Sequence, residues 1–288
     1  MSNRFPADSL VEFAVALCTR SGMDGAAARD VANILVEGDL LGHDTHGLQL
    51  LKPYLDALGS QAMLGSGELD EIASRPAVAS WDGKYLPGPY LVLRAIDTAI
   101  NMAQQYGTGC IAIRRSSHIG ALAAYLEKPA RAGFLIQIVC SDPAVVLVAP
   151  FGGSEPLFTP NPMAWGIPTS TDPVMIDISA STTTGGMSGR LHAAGQKGEH
   201  EWWLDSNGQT MLQWSIRSRL AVCRRWVEWM PAIKDMVLPC SSKPCHLLWQ
   251  GTGVQMVRTP GVPACMFRLL ISVHSVMRVP SVHKQIIW

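Results

Sequence analysis

Residues 77–115, AVASWDGKYLPGPYLVLRAIDTAINMAQQYGTGCIAIRR, carry the alternation that decides the fold. AVASWDG (77–83) and GCIAIRR (109–115) are short, apolar and bounded by turn residues, which predicts strands. Between them, PYLVLRAIDTAINMAQQYG (89–107) repeats apolar residues at helical spacing and closes on Gly107. The pattern continues with IGALAAYLEKPARAG (119–133) as a helix, FLIQIVC (134–140) as a buried strand and VMIDISA (174–180) as a further strand. Alternation of this kind predicts an α/β domain over residues 71–210. No GxGxxG follows a strand, so an ordinary Rossmann dinucleotide site is not supported.

The preceding stretch, residues 1–70, reads as a helical domain of three helices. SLVE (Ser9 to Glu12) has the form of a capping box, Asp24 stands before GAAARDVANILVEGDLL, and LQLLKPYLDAL follows a short HDTHG connection. Between the last two predicted strands of the α/β domain lies SDPAVVLVAPFGGSEPLFTPNPMAWGIPTSTDP (141–173), a Pro/Gly-rich segment. Structureless loops of such length inside a domain are usually functional.

Composition narrows the function classes. The 288 residues are 48% hydrophobic and 16% charged, which fits a folded chain rather than a disordered one. A net charge of zero argues against nucleic acid as the main partner, and no apolar run is long enough for a membrane span. The opening MSNRFPADSLVEF lacks a signal pattern, and seven cysteines without CxxC fit a reducing compartment, so a cytoplasmic protein is expected.

Three places could carry chemistry. In LLGHDTHGLQLL (40–51), His43 and His46 are three residues apart and could share a metal, but no third ligand is evident nearby, and no metal is expected. One solvated and one helix-cap histidine is the plainer reading. The functional one makes His46 a proton donor to a substrate oxygen, with a helix N-terminus beside it to attract a carboxylate. RRSSHIG (114–120) gathers Ser117 and His118 at a strand-to-helix junction, either as a helix start or as an anion pocket. In TPNPMAWGIP (159–168), Asn161 could bond a nicotinamide amide or backbone, and Asp177 in MIDIS could bind a ribose hydroxyl or cap a turn.

Taken together, GHDTHG, SSHIG, APFGG, NPMAWGIPT and DIS resemble, in order and spacing, the type-2 malate/L-lactate dehydrogenases. That family includes ureidoglycolate dehydrogenase and diketogulonate and piperideine-carboxylate reductases. The resemblance covers about residues 5–210. It implies a non-Rossmann, mixed-sheet α/β (α+β) fold, a homodimer, NAD or NADP as cofactor, and hydride transfer to or from a small 2-oxo/2-hydroxy acid. It makes His46 the proton donor and His118 a second active-site histidine. Thr159, Asn161 and the strand Met175, Ile176, Asp177, Ile178, Ser179 match cofactor-contacting segments. Many members carry an arginine shortly after the first histidine motif. Here LQLLKPY offers only Lys52, whose single ammonium fits a carboxylate less well than a guanidinium fork.

After about residue 210 the pattern breaks. Residues 1–213 hold 13 Lys/Arg against 21 Asp/Glu, whereas residues 214–288 hold 10 against 2, with five of the nine tryptophans. The family continues with DAGHKGYG, but this chain reads VEWMPAIKDMVLPCSSKPC (227–245). Codons formed from the last base of each codon and the first two of the next permit GMDAGHKGYGFALLVEAL there. Three letters are forced: Asp from Trp229–Met230, Ala from Met230–Pro231 and Gly from Met236–Val237. A change of reading frame between about Asn207 and Trp226 is therefore expected, with residues 211–288 an aberrant tail without a matching apolar face. Two readings follow: a 2-oxo/2-hydroxy acid dehydrogenase, or an inactive frameshifted remnant of one.

Overall fold

The alternation in residues 77–115 is realised in a computed structural model that describes residues 4–142, 144–150, 153–205, 207–214 and 267–275. The chain is an α/β protein with helices α1 (Ala7–Arg20), α2 (Gly25–Leu40), α3 (Leu51–Gly59), α4 (Gly88–Tyr106), α5 (Glu127–Arg131) and α6 (Gly185–Ala193). Its strands are β1 (Asp70–Arg75), β2 (Val78–Asp82), β3 (Thr108–Ser116), β4 (Phe134–Ser141), β5 (Met163–Ile167), β6 (Val174–Ile178), β7 (Trp203–Leu204), β8 (Thr210–Met211) and β9 (Phe267–Ser275). Seven strands form one sheet in the order β1-β2-β3-β9-β4-β5-β6. Only β2 and β3 pair in parallel; every other neighbouring pair is antiparallel, so the sheet is mixed.

The elements form where local chemistry places them. α4 has Pro at its start and ends on Gly107 at φ +82°, the left-handed conformation that glycine adopts without steric cost. α1 begins earlier than the Ser9 capping box implies: Pro6 precedes its first turn, and the Leu10 N–H bonds the Pro6 carbonyl. IGALAAYLEKPARAG is not one helix. A 3-10 turn at Leu122–Tyr125 is followed by the five-residue α5, whose first turn accommodates Pro129 because the early N–H groups of a helix need no intrahelical acceptor. Within the long Pro/Gly-rich segment, MAWGI forms β5 and pairs with β4.

Contacts divide the chain into two units. The first comprises the described residues within Met1–Asp142, Asn161–Ser179 and Met266–Trp288; the second those within Pro143–Pro160 and Ala180–Cys265. In the first, α4 lays Leu91, Val92, Ala95, Ile96 and Ala99 against Ile111 and Ile113 of β3, Ile136 and Ile138 of β4, and Ile271 and Val273 of β9. The same unit holds a helical cluster in which Ala14 and Cys18 of α1, Ala28, Val31 and Leu35 of α2, and Leu51, Tyr54 and Leu58 of α3 meet. In the second, α6 is capped by the Thr184 hydroxyl, which accepts from the Met187 N–H at 3.0 Å, and the buried Trp203 donates from Nε1 to Ser188 Oγ at 3.0 Å.

The expected tail contains a surprise. Phe267–Ser275 is a full-length strand in the middle of the sheet, and Ile271 and Val273 are completely buried. Expecting no apolar face in this stretch is therefore corrected for these nine residues: Leu269, Ile271 and Val273 recur with period two, which suits a strand. The shifted motif at 227–245 lies outside the described residues.

Candidate active site

The two histidine motifs meet within the first unit. After α2 stops, the chain turns tightly: the His43 N–H bonds the Gly38 carbonyl at 2.8 Å, and the His46 N–H bonds the His43 carbonyl at 2.7 Å. Asp39 reaches under this turn and accepts from the Leu48 N–H at 2.9 Å. A Cβ on Gly47 would stand 2.0 Å from Asp39 Oδ1, so a larger residue there would have to displace the Asp39 carboxylate. The turn is pinned at both ends and leaves His46 half-buried.

His118 arrives from the end of β3. Asp82, 2% exposed, holds both Arg114 and Arg115, with nitrogens of the two guanidiniums 2.9 and 2.5 Å from its Oδ2. Burial alone would raise the Asp82 carboxyl, but hydrogen bonds from Arg115, the Lys84 N–H and Arg114 outweigh it and hold it down to about 2. Arg115 takes φ +54° where the register with β9 shifts between Arg114 and Ser116. The Ser117 N–H then bonds the Leu86 carbonyl at 3.2 Å, and Ser117 Oγ donates to the Tyr85 carbonyl at 3.0 Å. Gly88 at the start of α4 lets this backbone come close: a Cβ there would lie 2.3 Å from the His118 carbonyl oxygen.

The imidazoles of His46 and His118 consequently stack, with centroids 5.8 Å apart and planes inclined by 27°. His118 Nδ1 lies 3.1 Å from the Gly120 N–H and 2.9 Å from the Tyr54 hydroxyl, which is also 3.0 Å from the His118 carbonyl. Thr45 Oγ1 is 3.0 Å from His46 Nδ1. Burial lowers both imidazoles, and each feels a neighbouring histidine as well: His46 feels His43, while His118, pushed down to about 3, feels His46. Two adjacent neutral imidazoles, each able to donate one hydrogen bond and accept another, suit a substrate oxygen.

The remaining expected residues separate. Asn161, at φ +45°, has a buried Oδ1 with no hydrogen-bond partner among the described residues. Asp177 accepts from the Ala123 N–H at 2.8 Å and caps the 3-10 turn, which is its turn-capping reading. Burial raises its carboxyl, opposed by the Ala123 N–H, His43 and the Leu122 N–H. On β6, Met175 packs against the core, Ile176 is 38% exposed, and Ile178 and Ser179 are half-buried. Lys52 projects into solvent, 81% exposed, with Nζ 2.6 Å from Asp56. The Ser117 hydroxyl is committed to the Tyr85 carbonyl. Thr159 is buried in the second unit. Among the described residues, no group of three or more His, Cys, Asp or Glu is placed to hold a metal.

Tyr54 is the residue that sequence reasoning missed. It lies on α3 with Leu51 and Leu58, at spacings that signal only a core face. Its signal was chemical: a buried tyrosine needs a partner for its hydroxyl.

A helical segment packed on a mixed sheet, with paired imidazoles at the junction of α2, α3 and β3, defines the described residues as an α/β protein with a mixed rather than an all-parallel sheet. The sequence model for malate/L-lactate dehydrogenase matches residues 5–212, and the chain belongs to that family. It is 33% identical over 210 residues to a malate dehydrogenase of Pyrococcus abyssi, covering 72% of this chain and 56% of that protein. It is 30% identical over 171 residues to an L-sulfolactate dehydrogenase of Methanothermobacter thermautotrophicus, covering 59% of this chain and 48% of that one. The chain thus spans about half the length of these curated relatives. A dehydrogenase crystal structure from Sinorhizobium meliloti superposes with a TM-score of 0.74 at 27% identity, covering 94% of this chain and 79% of that one.

Proposed function

We propose that this chain carries the site of an NAD(P)-dependent oxidoreductase acting on a small 2-oxo/2-hydroxy acid. The observation that carries the reading is the stacked His46–His118 pair in a family whose relatives are named as dehydrogenases of malate and sulfolactate. NAD or NADP, when bound, supplies or accepts the hydride. Asn161 fits such a group, because a buried carbonyl oxygen without a partner among the described residues is complementary to a carboxamide N–H. The strand Met175 to Ser179, in the same unit as Asn161, would line the same cofactor. His46 gives a proton to the oxygen of the 2-oxo acid during reduction and takes it back during oxidation. His118 hydrogen-bonds that oxygen and steadies the charge growing on it. Lys52 can meet a substrate carboxylate only by leaving Asp56.

Among the described residues, no helix is long and apolar enough to cross a membrane. A cytoplasmic homodimer is part of the same proposal. The decisive experiment is a fluorescence titration of the chain with NADH and NADPH, followed by reduction assays over pyruvate, oxaloacetate and sulfopyruvate. Saturable binding with turnover of one acid supports the reading; binding of neither nucleotide would end it.

One observation favours a second reading, an inactive remnant: the three forced letters of DAGHKGYG recovered in another frame across residues 227–245. Resequencing the gene around codons 205–230 tests it. A single-base correction opening the longer frame supports it, and stop codons in that frame before the motif would dismiss it.

A further inference from the structure

Tyr54 lies on α3, which carries neither histidine, yet its hydroxyl is 2.9 Å from His118 Nδ1. We propose that Tyr54 is a positioning residue whose hydroxyl, together with the Gly120 N–H, fixes His118 as the neutral tautomer with its proton on Nε2. The claim extends the dehydrogenase reading above, and rests on it only for what that proton then does.

One assignment satisfies the Gly120 contact at Nδ1. The Gly120 N–H points at His118 Nδ1 from 3.1 Å and can only donate, so Nδ1 must present a lone pair. A hydrogen on Nδ1 would face that N–H head-on. The Tyr54 hydroxyl, 2.9 Å away, must then donate to Nδ1 as well, sharing its hydrogen with the His118 carbonyl at 3.0 Å. The ring's proton is left to Nε2, and any hydrogen bond that His118 gives is given from there. The phenol grips the ring and the backbone of one residue together, so it sets orientation as well as tautomer. The phenol is itself held by packing: Tyr54 is 3% exposed and sits among the apolar residues of α1, α2 and α3. The consequence for the reaction is a division of labour. His118 is a fixed donor of one hydrogen bond, and His46 is the group that gains and loses a proton.

The test uses the full chain labelled with ¹⁵N-histidine, with His118 assigned through His118→Gln, and long-range ¹H–¹⁵N correlation spectra of wild type and Tyr54→Phe. In wild type, His118 is expected to show an unprotonated Nδ1 and a protonated Nε2 between about pH 6 and pH 8. Tyr54→Phe is expected to draw the two nitrogen signals together as tautomers mix. It should lower kcat roughly tenfold while KM for the 2-oxo acid changes less than about twofold. A protonated Nδ1 in wild type overturns the proposal, and so does a Tyr54→Phe protein with unchanged nitrogen signals. Should that variant fail to fold, the wild-type spectrum decides by the same criterion. A chain without turnover whose His118 signals still shift in Tyr54→Phe upholds the tautomer lock and removes only the dehydrogenase reading.

Discussion

The rings of His46 and His118 face each other across 5.8 Å, one delivered by the turn after α2 and the other by the end of β3. A charge on one opposes a charge on the other, so the pair accepts at most one proton readily. This makes the site asymmetric although its two members are chemically identical.

The first prediction concerns His46. General acid catalysis typically contributes ~10²–10⁴-fold, and His46→Ala should lower turnover of the 2-oxo acid by about that range while nucleotide binding persists. His43→Ala should leave turnover nearly unchanged. Because burial and His43 hold His46 below its ordinary value, reduction should weaken as pH rises through that lowered value, and oxidation should weaken as pH falls through it. Pre-steady-state rates against pH in both directions check this; a flat profile in both would remove His46 as the titrating group.

The second concerns acid stability. His118 is held down to about 3 in the folded chain, against ~6.5 when exposed. The unfolded chain therefore binds a proton that the folded one refuses, and stability present above pH ~6.5 is lost as pH falls from there toward 3, by up to ~1.4 kcal/mol per pH unit. Denaturant melts of wild type and His118→Gln should differ in slope within that window and run parallel above it. Equal slopes throughout would mean that His118 is solvated.

The third concerns Asp82, whose carboxylate anchors the loop that delivers His118. Its folded value, about 2, lies below the ordinary carboxylate, so its contribution is fully present at neutral pH and disappears as pH falls from ~4 to 2. Asp82→Asn keeps the shape but loses the charge-assisted bonds to two half-exposed arginines, and a loss of ~1–3 kcal/mol is expected in urea melts. Stability equal to wild type at pH 7 would show the cluster to be solvated decoration.

The fourth concerns Gly88. A methyl there would collide with the carbonyls of Ser117 and His118, both backbone atoms that cannot rotate away. Gly88→Ala should push His118 from its place, cutting turnover at least tenfold and lowering stability by roughly 1–3 kcal/mol. Gly59→Ala, where a Cβ meets nothing within 4 Å, is the control. Equal behaviour of the two variants would refute the close-packing argument.

Sequence patterns anticipated some elements well because they are local. α4 announces itself by apolar spacing and Gly107, and β2, β3 and β4 by short apolar runs between turn residues. The helix expected over residues 119–133 failed because LAAY tightened into a 3-10 turn whose N–H groups bond a carboxylate more than 50 residues away, Asp177, which no local pattern encodes. The histidines were legible as candidates, since each sits in a turn dense with donors. Their meeting was implied by the family resemblance and not by any local pattern, because it depends on Asp82 and Gly88 steering one chain segment and Asp39 and Gly47 the other. Tyr54 looked like one more core residue because the hydroxyl that matters points along a direction that spacing does not report.

The placement of β9 carries a consequence for how the protein assembles. Its partners are remote: His274 pairs with Thr108, and Ser275 with Phe134. On a chain emerging from the ribosome, β3 and β4 are made long before the strand that joins them. Until it arrives, two apolar strands present unpaired inner edges, the kind of surface that recruits other chains. Closure of the sheet is thus a late event of high sequence separation, and such closures are slow. Chaperone dependence during synthesis, more than resistance of the finished fold to heat, should govern how much of this protein a cell can accumulate.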